Sequence, residues 1–236
     1  MTRRARPALL GRNAPPTFPN PSGADAEGLV AIGGDLSTER LLAAYEQGIF
    51  PWYNEGLPPM WWSPDPRAVM DPERLHVSRS LARVLRRGGF EVTFDRAFEQ
   101  VMLECGRERD DGTWIIPDML AAYVELHRCG HAHSFEVWRD GRLAGGLYGV
   151  HRGGLFAAES MFHRETDASK VALVVAVRSL FAAGIELFDV QFSTDHLESL
   201  GAYEMRRVDY LARVAEAKRK TVSLAAGVTL LTTQGE

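Results

Sequence analysis

The second half of the chain alternates apolar and polar positions with a period of two. Ser134 to Arg139, Leu143 to Val150 and Leu155 to Phe162 each read as a strand, divided by turns at Asp140-Gly141 and near Arg152-Gly153. Asp-Gly is a favoured two-residue hairpin turn, so the strands form an antiparallel meander. The period then lengthens to a helical one from about Ser169 to Ala183, predicting a long amphipathic helix stopped by Gly184, and returns to a strand at Leu187 to Gln191. Ser193 to Leu200 reads as a short helix or turn, Glu204 to Tyr210 as a strand and Leu211 to Lys220 as a helix. The final stretch is mildly apolar, and no pattern assigns it.

The first half is less regular. Residues 1 to about 23 carry arginines and prolines and read as a flexible or draped segment. Leu29 to Ile32 is a short apolar run before the turn residues Gly33-Gly34-Asp35. Ser37 suits the N-cap of a helix from Thr38 to Gln47, with Leu41, Leu42 and Tyr45 inward and Gly48 as its stop. Ile49 to Tyr53 and Met60 to Arg67 hold three of the five tryptophans among several prolines. Proline forbids a regular helix there, which leaves an ordered aromatic-rich loop or an edge strand. His76 to Arg87 reads as a helix with Arg79, Arg83 and Arg86 on one face and Arg87 beside them. A strand at Phe90 to Phe94, a helix at Phe98 to Cys105, a charged loop at Arg107 to Asp111 and a helix at Pro117 to Arg128 complete this half.

The class expected is α+β, with a small N-terminal domain over residues 1–70 and a larger domain over 71–236. At 236 residues and 45% hydrophobic content the chain has ample material for a core. A net charge of −4 means that a nucleic-acid partner needs a local basic patch. Cys105 and Cys129 lie outside any metal or redox spacing, and the longest strictly apolar run, Val171 to Val177, is too short for a membrane span. The arginines at the N-terminus precede an apolar run too broken for a signal peptide, so a soluble, cytoplasmic protein is expected. Phosphate-loop and dinucleotide fingerprints are missing, and Ser160 follows Glu159 rather than the glycine pattern of a nucleophile elbow. The histidines at 127, 131, 133, 151, 163 and 196 give no third ligand by spacing, so no metal is expected.

Chemistry concentrates on three side chains. Glu159 sits mid-strand among apolar neighbours, and Asp189 and Gln191 are two apart on a strand and so share a face. Charge inside buried strands is costly unless paired or used. Glu159 is either a poised carboxylate with a pKa open to desolvation or a solvent-facing edge residue. Asp189 and Gln191 are either a positioning pair or an ordinary polar strand end. Glutamine is too weak a base to take a proton outright, but it can hold an attacking amine and pass polarisation to Asp189. That modest help suits a protein α-amine, whose pKa is roughly 8. Trp52 and Trp114 are either stacking platforms for bases or packed core residues. The stripe Arg79, Arg83, Arg86, Arg87 suits phosphates or is a solvated face. Lys170 lies in the first turn of its helix, where a cation opposes the macrodipole unless an anion is near.

Taken together in order, Glu27-Gly-Leu-Val-Ala-Ile-Gly-Gly-Asp-Leu, Gly48-Ile-Phe-Pro-Trp, Trp61-Trp-Ser-Pro-Asp-Pro-Arg67, Gly112-Thr-Trp-Ile, Gly130-His-Ala-His-Ser-Phe-Glu-Val-Trp138, Glu159-Ser-Met-Phe and the stretch from Asp189-x-Gln191 to Gly201-Ala resemble the bacterial leucyl/phenylalanyl-tRNA–protein transferase family. The match runs from about residue 18 to 211; the first seventeen residues and the tail from about 221 fall outside it. The resemblance implies a C-terminal acetyltransferase-like (GNAT) fold with a mixed sheet flanked by helices. It implies transfer of Leu or Phe from aminoacyl-tRNA to an N-terminal Arg or Lys of an acceptor protein, marking it for degradation by the N-degron route. It implies no cofactor and no metal, and a monomer is expected. By motif, Asp189 and Gln191 fall on a proton-relay pair and Glu159 on the active-site carboxylate. Trp52 and Trp114 fall on positions holding the terminal adenosine, Leu147 and Phe156 on the amino-acid pocket, and Arg86 and Arg87 on positions meeting the tRNA acceptor arm. Two other readings compete. A coenzyme-A-dependent N-acetyltransferase would want a glycine-rich turn before its helix, and Phe162 to Lys170 contains no glycine. A non-catalytic tRNA-binding module would have no need of Glu159, Asp189 or Gln191.

Overall fold

The structure is a computed structural model and describes residues 6–107, 113–224 and 227–231. The N-terminal part contains β1 (Ala8–Leu10), β2 (Leu29–Gly33), α1 (Thr38–Tyr45), β3 (Phe50–Pro51) and β4 (Met60–Trp62), with its sheet in the order β1-β2-β4-β3. The draped segment expected at the start therefore contributes a strand, since β1 pairs in parallel with β2. Arg40 explains much of that order. Its guanidinium is buried, donates to the carbonyls of Ala14 and Pro15 at 2.7 and 3.1 Å, and pairs with Asp35. The Ser37 cap forms as expected, with its Oγ accepting from the Arg40 N–H at 3.4 Å. The aromatic-rich stretch folds as β3, an edge strand, and β4, an interior one whose Trp61 is fully buried and donates Nε1–H to the Gly33 carbonyl at 2.8 Å.

The second sheet carries the site. Its elements are β5 (Arg67–Met70), α2 (Arg79–Arg87), β6 (Glu91–Phe94), α3 (Phe98–Gly106), α4 (Pro117–Arg128), β7 (Ala132–Arg139), β8 (Arg142–Arg152), β9 (Leu155–His163), α5 (Ala168–Ala182), β10 (Leu187–Gln191), α6 (Asp195–Ser199), β11 (Tyr203–Met205) and α7 (Arg207–Ala217). The strand order is β11-β5-β10-β9-β8-β7-β6. Every pair is antiparallel except β9 with β10, which α5 joins as a crossover. The expected α+β class and meander are thus present.

Several expectations change. The helix expected from His76 begins at Arg79, because Ser78 is the residue whose Oγ caps the Leu81 N–H at 3.2 Å. The strand expected from Glu204 to Tyr210 stops at Met205, and Arg207 starts α7 with its N–H on Asp65 Oδ1 at 2.9 Å. The helix expected to be amphipathic, α5, is buried on nearly all sides, Lys170 and Arg178 being its charged, partly exposed exceptions. Its outer side is covered by Val222, Val228 and Leu230 of the unassigned tail, and Leu231 N–H donates to Ser179 Oγ at 2.9 Å. The charged loop lies outside the described residues beyond Arg107, as does Gly112.

Two irregularities open the sheet. The ladder between β9 and β10 pairs Leu187 with Leu155, Phe188 with Phe156 and Asp189 with Ala157, and then ends. Beyond that point the two parallel strands part. On β9 the register against β8 passes from Gly149↔Ala158 to Tyr148↔Ser160, so Glu159 is the extra residue of a bulge. On β10 the register against β5 passes from Asp189↔Val69 to Gln191↔Ala68, so Val190 is a second one. Bulges re-aim side chains, and here both do so at the mouth of the gap.

Candidate active site

The gap is a cavity of about 380 Å³. Ala158, Glu159, Ser160 and Met161 line it from β9, Val190, Gln191 and Phe192 from β10 and beyond, and Leu173 from α5. Phe50 and Pro51 of β3 and the following Trp52 line it too, with Trp114 from the segment before α4, so the N-terminal sheet contributes to the site. Trp52 is 45% exposed and lies 5.6 Å, ring to ring, from Phe192. Most of the lining is apolar, with Glu159 and Gln191 as its principal polar groups, a pattern suited to a ligand with a greasy end and a reacting polar end.

Glu159 is held from both sides. Its Oε1 accepts from Gln191 Nε2 at 3.1 Å, and its Oε2 from the Tyr123 hydroxyl at 3.4 Å. Tyr123 shares a 2.5 Å hydrogen bond with Tyr45, both rings being fully buried. Burial pushes the Glu159 carboxyl up to about 8; Asp189 adds to the push, while the Tyr45 and Tyr123 hydroxyls and the Arg67 charge work against it. Both phenols are raised well above their usual range, first by burial and then by the nearby Glu159 charge. They therefore act as hydrogen-bond donors and not as bases.

Asp189 is built differently. It is fully buried and does not line the cavity. Its Oδ1 accepts from Arg67 Nε at 2.8 Å and from the Gln191 backbone N–H at 3.0 Å. Its Oδ2 accepts from Arg67 Nη2 at 2.6 Å and from the Tyr210 hydroxyl at 2.9 Å. The expected contact of the Gln191 side chain with Asp189 is replaced by this backbone bond. Val190 bulges out and Gln191 takes φ 59°, which turns its amide to Glu159 instead. Burial alone would lower the Arg67 pKa; the Asp189 charge outweighs it and the net shift is upward, so Arg67 stays charged.

The other expected residues separate. Leu147 lines the cavity beside Met161 and Leu173. Phe156 does not; it is fully buried against Phe188, at 5.4 Å between rings, because its side of β9 precedes the parting of the strands. Arg79, Arg83, Arg86 and Arg87 are all exposed on α2 and have no carboxylate partner among the described residues. Lys170 Nζ pairs with Asp167 Oδ1 at 2.9 Å, which supplies the anion its position wanted. Among the described residues no group of three or more His, Cys, Asp or Glu is placed to hold a metal ion, and no helix is long and apolar enough to cross a membrane.

Sequence reasoning missed Arg67, Tyr45, Tyr123 and Tyr210 as partners. The signal was available for Arg67. An arginine opening the apolar strand Arg67–Met70 must find a buried carboxylate, and Asp189 is one of the few carboxylates inside another apolar strand. The tyrosines sit at ordinary core positions of their helices and give no such sign.

Comparisons with known proteins agree with this picture. A model of the leucyl/phenylalanyl-tRNA protein transferase N-terminal domain matches residues 34–65, and one of the leucyl/phenylalanyl-tRNA protein transferase matches residues 69–215. A leucyl/phenylalanyl-tRNA–protein transferase of Anaeromyxobacter sp. (strain Fw109-5) is 58% identical over 204 residues, covering 85% of this chain and 87% of its own. One from Syntrophobacter fumaroxidans is 56% identical over 202 residues, covering 84% and 86%. Among solved structures, a GCN5-related N-acetyltransferase from Kribbella flavida is similar with a TM-score of 0.39 and 13% identity, over 68% of this chain and 58% of that one. With both family models covering the elements that build the cavity, the chain is an aminoacyltransferase belonging to the leucyl/phenylalanyl-tRNA–protein transferase family.

Proposed function

We propose that this chain transfers a leucyl or phenylalanyl group from aminoacyl-tRNA to the α-amine of an N-terminal Arg or Lys on an acceptor protein, in the cytoplasm, as a monomer, and so marks that protein for degradation. The observation that carries this reading is the Glu159–Gln191 pair facing an otherwise apolar cavity walled by Trp52 and Trp114. The aminoacyl side chain fits the end lined by Leu147, Met161 and Leu173, with Phe156 packed behind as part of the same core. The terminal adenosine stacks at Trp52 and Trp114, each such contact contributing about 1–3 kcal/mol. The exposed arginines of α2 meet the phosphates of the acceptor arm.

The donor ester is already activated, so proximity and charge placement supply most of the rate. The acceptor arrives as a cation. Its positive charge favours ionised Glu159, reversing the effect of burial. Glu159 then accepts a proton from the α-ammonium, and Gln191 holds the carboxylate in place. The free amine attacks the ester carbonyl, a C–N bond forms, and the C–O bond to the tRNA 3′-ribose breaks. The departing ribose oxygen takes the proton that Glu159 accepted, and the second proton shed by the nitrogen is released to solvent, completing the exchange. Asp189 acts from behind, holding Gln191 through its backbone N–H.

A transfer assay tests this reading. Charged leucyl-tRNA is incubated with peptides beginning Arg, Lys, Asp and Glu. Label on the Arg and Lys peptides alone is expected. Transfer to the acidic peptides instead would overturn the acceptor assignment. Tight acetyl-coenzyme A binding by calorimetry, despite Asp167 at the start of α5, would favour the acetyltransferase alternative.

A further inference from the structure

The start of β7, the turn between β8 and β9, and the chain after α7 enclose a second cavity of about 410 Å³. Its rim carries Arg152, Lys218, Arg219 and Lys220 together with His131 and His151, and among the described residues no carboxylate lines it. Two of these cations are matched from outside the lining. Arg152 Nε pairs with Glu46 at 2.5 Å and Lys220 Nζ with Glu186 at 2.8 Å. Lys218 Nζ reaches only the Glu46 backbone carbonyl, at 3.4 Å, and Arg219 has no carboxylate partner among the described residues. Lys218 and Arg219 are thus the cations at this cavity left without a carboxylate among the described residues, just past the C-terminus of α7.

Its inner wall is unusual. His151 is 6% exposed, and its Nε2–H donates to the Gly153 carbonyl at 2.8 Å. Behind it, 5.6 Å away between rings, His133 is 2% exposed, with Nδ1 on Asp95 Oδ2 at 2.6 Å and a buried Nε2 that has no partner among the described residues. The backbone N–H groups of Thr221, Val222 and Ser223, which also line the cavity, make no hydrogen bond within the described residues. Unspent donors, cations and an absence of acids are what a tetrahedral oxyanion needs. The roof, residues 218–224, also lies past residue 215, where the family match ends.

We propose that this cavity is a phosphate-binding site for a free ligand bearing a phosphoryl or pyrophosphoryl group, separate from the transfer site and held chiefly by Lys218, Arg219 and the backbone of the tail. The proposal stands independently of the transfer reaction.

Calorimetric titration of inorganic pyrophosphate into the full chain tests it. One saturable site is expected. Lys218→Ala with Arg219→Ala, both on exposed side chains, is expected to weaken binding by about tenfold or more with the melting curve unchanged, whereas Arg86→Ala with Arg87→Ala leaves it unaltered. Absence of saturable binding, survival of full affinity in the Lys218/Arg219 variant, or loss in the Arg86/Arg87 variant would each overturn the proposal. Displacement of pyrophosphate by uncharged tRNA, with tRNA affinity falling in the Lys218/Arg219 variant by the same factor, would overturn the free-ligand assignment in favour of the tRNA backbone.

Discussion

Arg67 and Asp189 meet through two parallel hydrogen bonds, Nε to Oδ1 at 2.8 Å and Nη2 to Oδ2 at 2.6 Å, with each side chain only 1% exposed. The pair ties β5 to β10 immediately before the Val190 bulge. The Arg67 guanidinium also lies between the Phe50 and Tyr210 rings, at 4.7 and 4.5 Å, and reaches the Gly48 carbonyl at 3.3 Å. One buried cation thus fixes β10, the strand bearing Gln191, to the segment leading to Trp52.

Removing one partner strands the other. Arg67→Ala is expected to cost roughly 3–5 kcal/mol, because Asp189 would remain buried and uncompensated. Arg67→Lys keeps the charge but loses the fork, so it should destabilise less yet still slow transfer. Chemical denaturation of both variants, with transfer rates at matched folded fraction, checks this order.

The Glu159 carboxyl rises from 4.5 in the unfolded chain to about 8 in the fold. The folded state therefore holds a proton that the unfolded state has released between those values. Stability should fall as pH rises from about 4.5 to about 8 and then level. Glu159→Gln removes this slope, and its advantage should grow to roughly 4–5 kcal/mol by pH 8. Thermal or urea unfolding of both proteins across that pH range measures it. A constant difference would place the carboxylate in a more solvated setting.

The hydroxyls of Tyr45 and Tyr123 depend on each other. Tyr123→Phe leaves a buried Tyr45 hydroxyl short of its partner, at a cost of about 1–3 kcal/mol. Replacing both by Phe should cost less than the sum of the single changes. A double-mutant cycle in denaturant reads this coupling directly.

Gly48 takes φ 69°, and a Cβ there would lie 2.7 Å from Tyr210 Cε1 and 2.8 Å from Leu211 Cδ2. Gly48→Ala therefore combines backbone strain with a push on the ring that donates to Asp189. Reduced stability and slower transfer are expected together, as measured by melting temperature and initial rate.

Much of this was legible in the sequence. Period-two alternation located β7, β8 and β9, and Pro117 to Arg128 marked α4 at its bounds. Glu159, Asp189 and Gln191 stood out because polar groups in apolar strands need a reason. What local pattern could not carry was register. The bulges at Glu159 and Val190 depend on neighbouring strands, and they determine that Gln191 faces Glu159 while Asp189 turns inward. Nor could periodicity show that the tail covers α5, since Val222, Val228 and Leu230 are scattered without a period. Phe156 and Leu147 read alike as apolar strand residues; only the end of the β9–β10 ladder separates the core position from the one facing the cavity.

The reactive role of the Glu159–Gln191 pair is most directly tested by single-turnover transfer of leucine from leucyl-tRNA to an Arg-initiated peptide, comparing the unaltered chain with Glu159→Gln while tRNA affinity is measured in parallel. A rate lower by about tenfold to a hundredfold, with tRNA affinity nearly unchanged, is the expected result. An undiminished rate would contradict a proton-accepting carboxylate at this cavity.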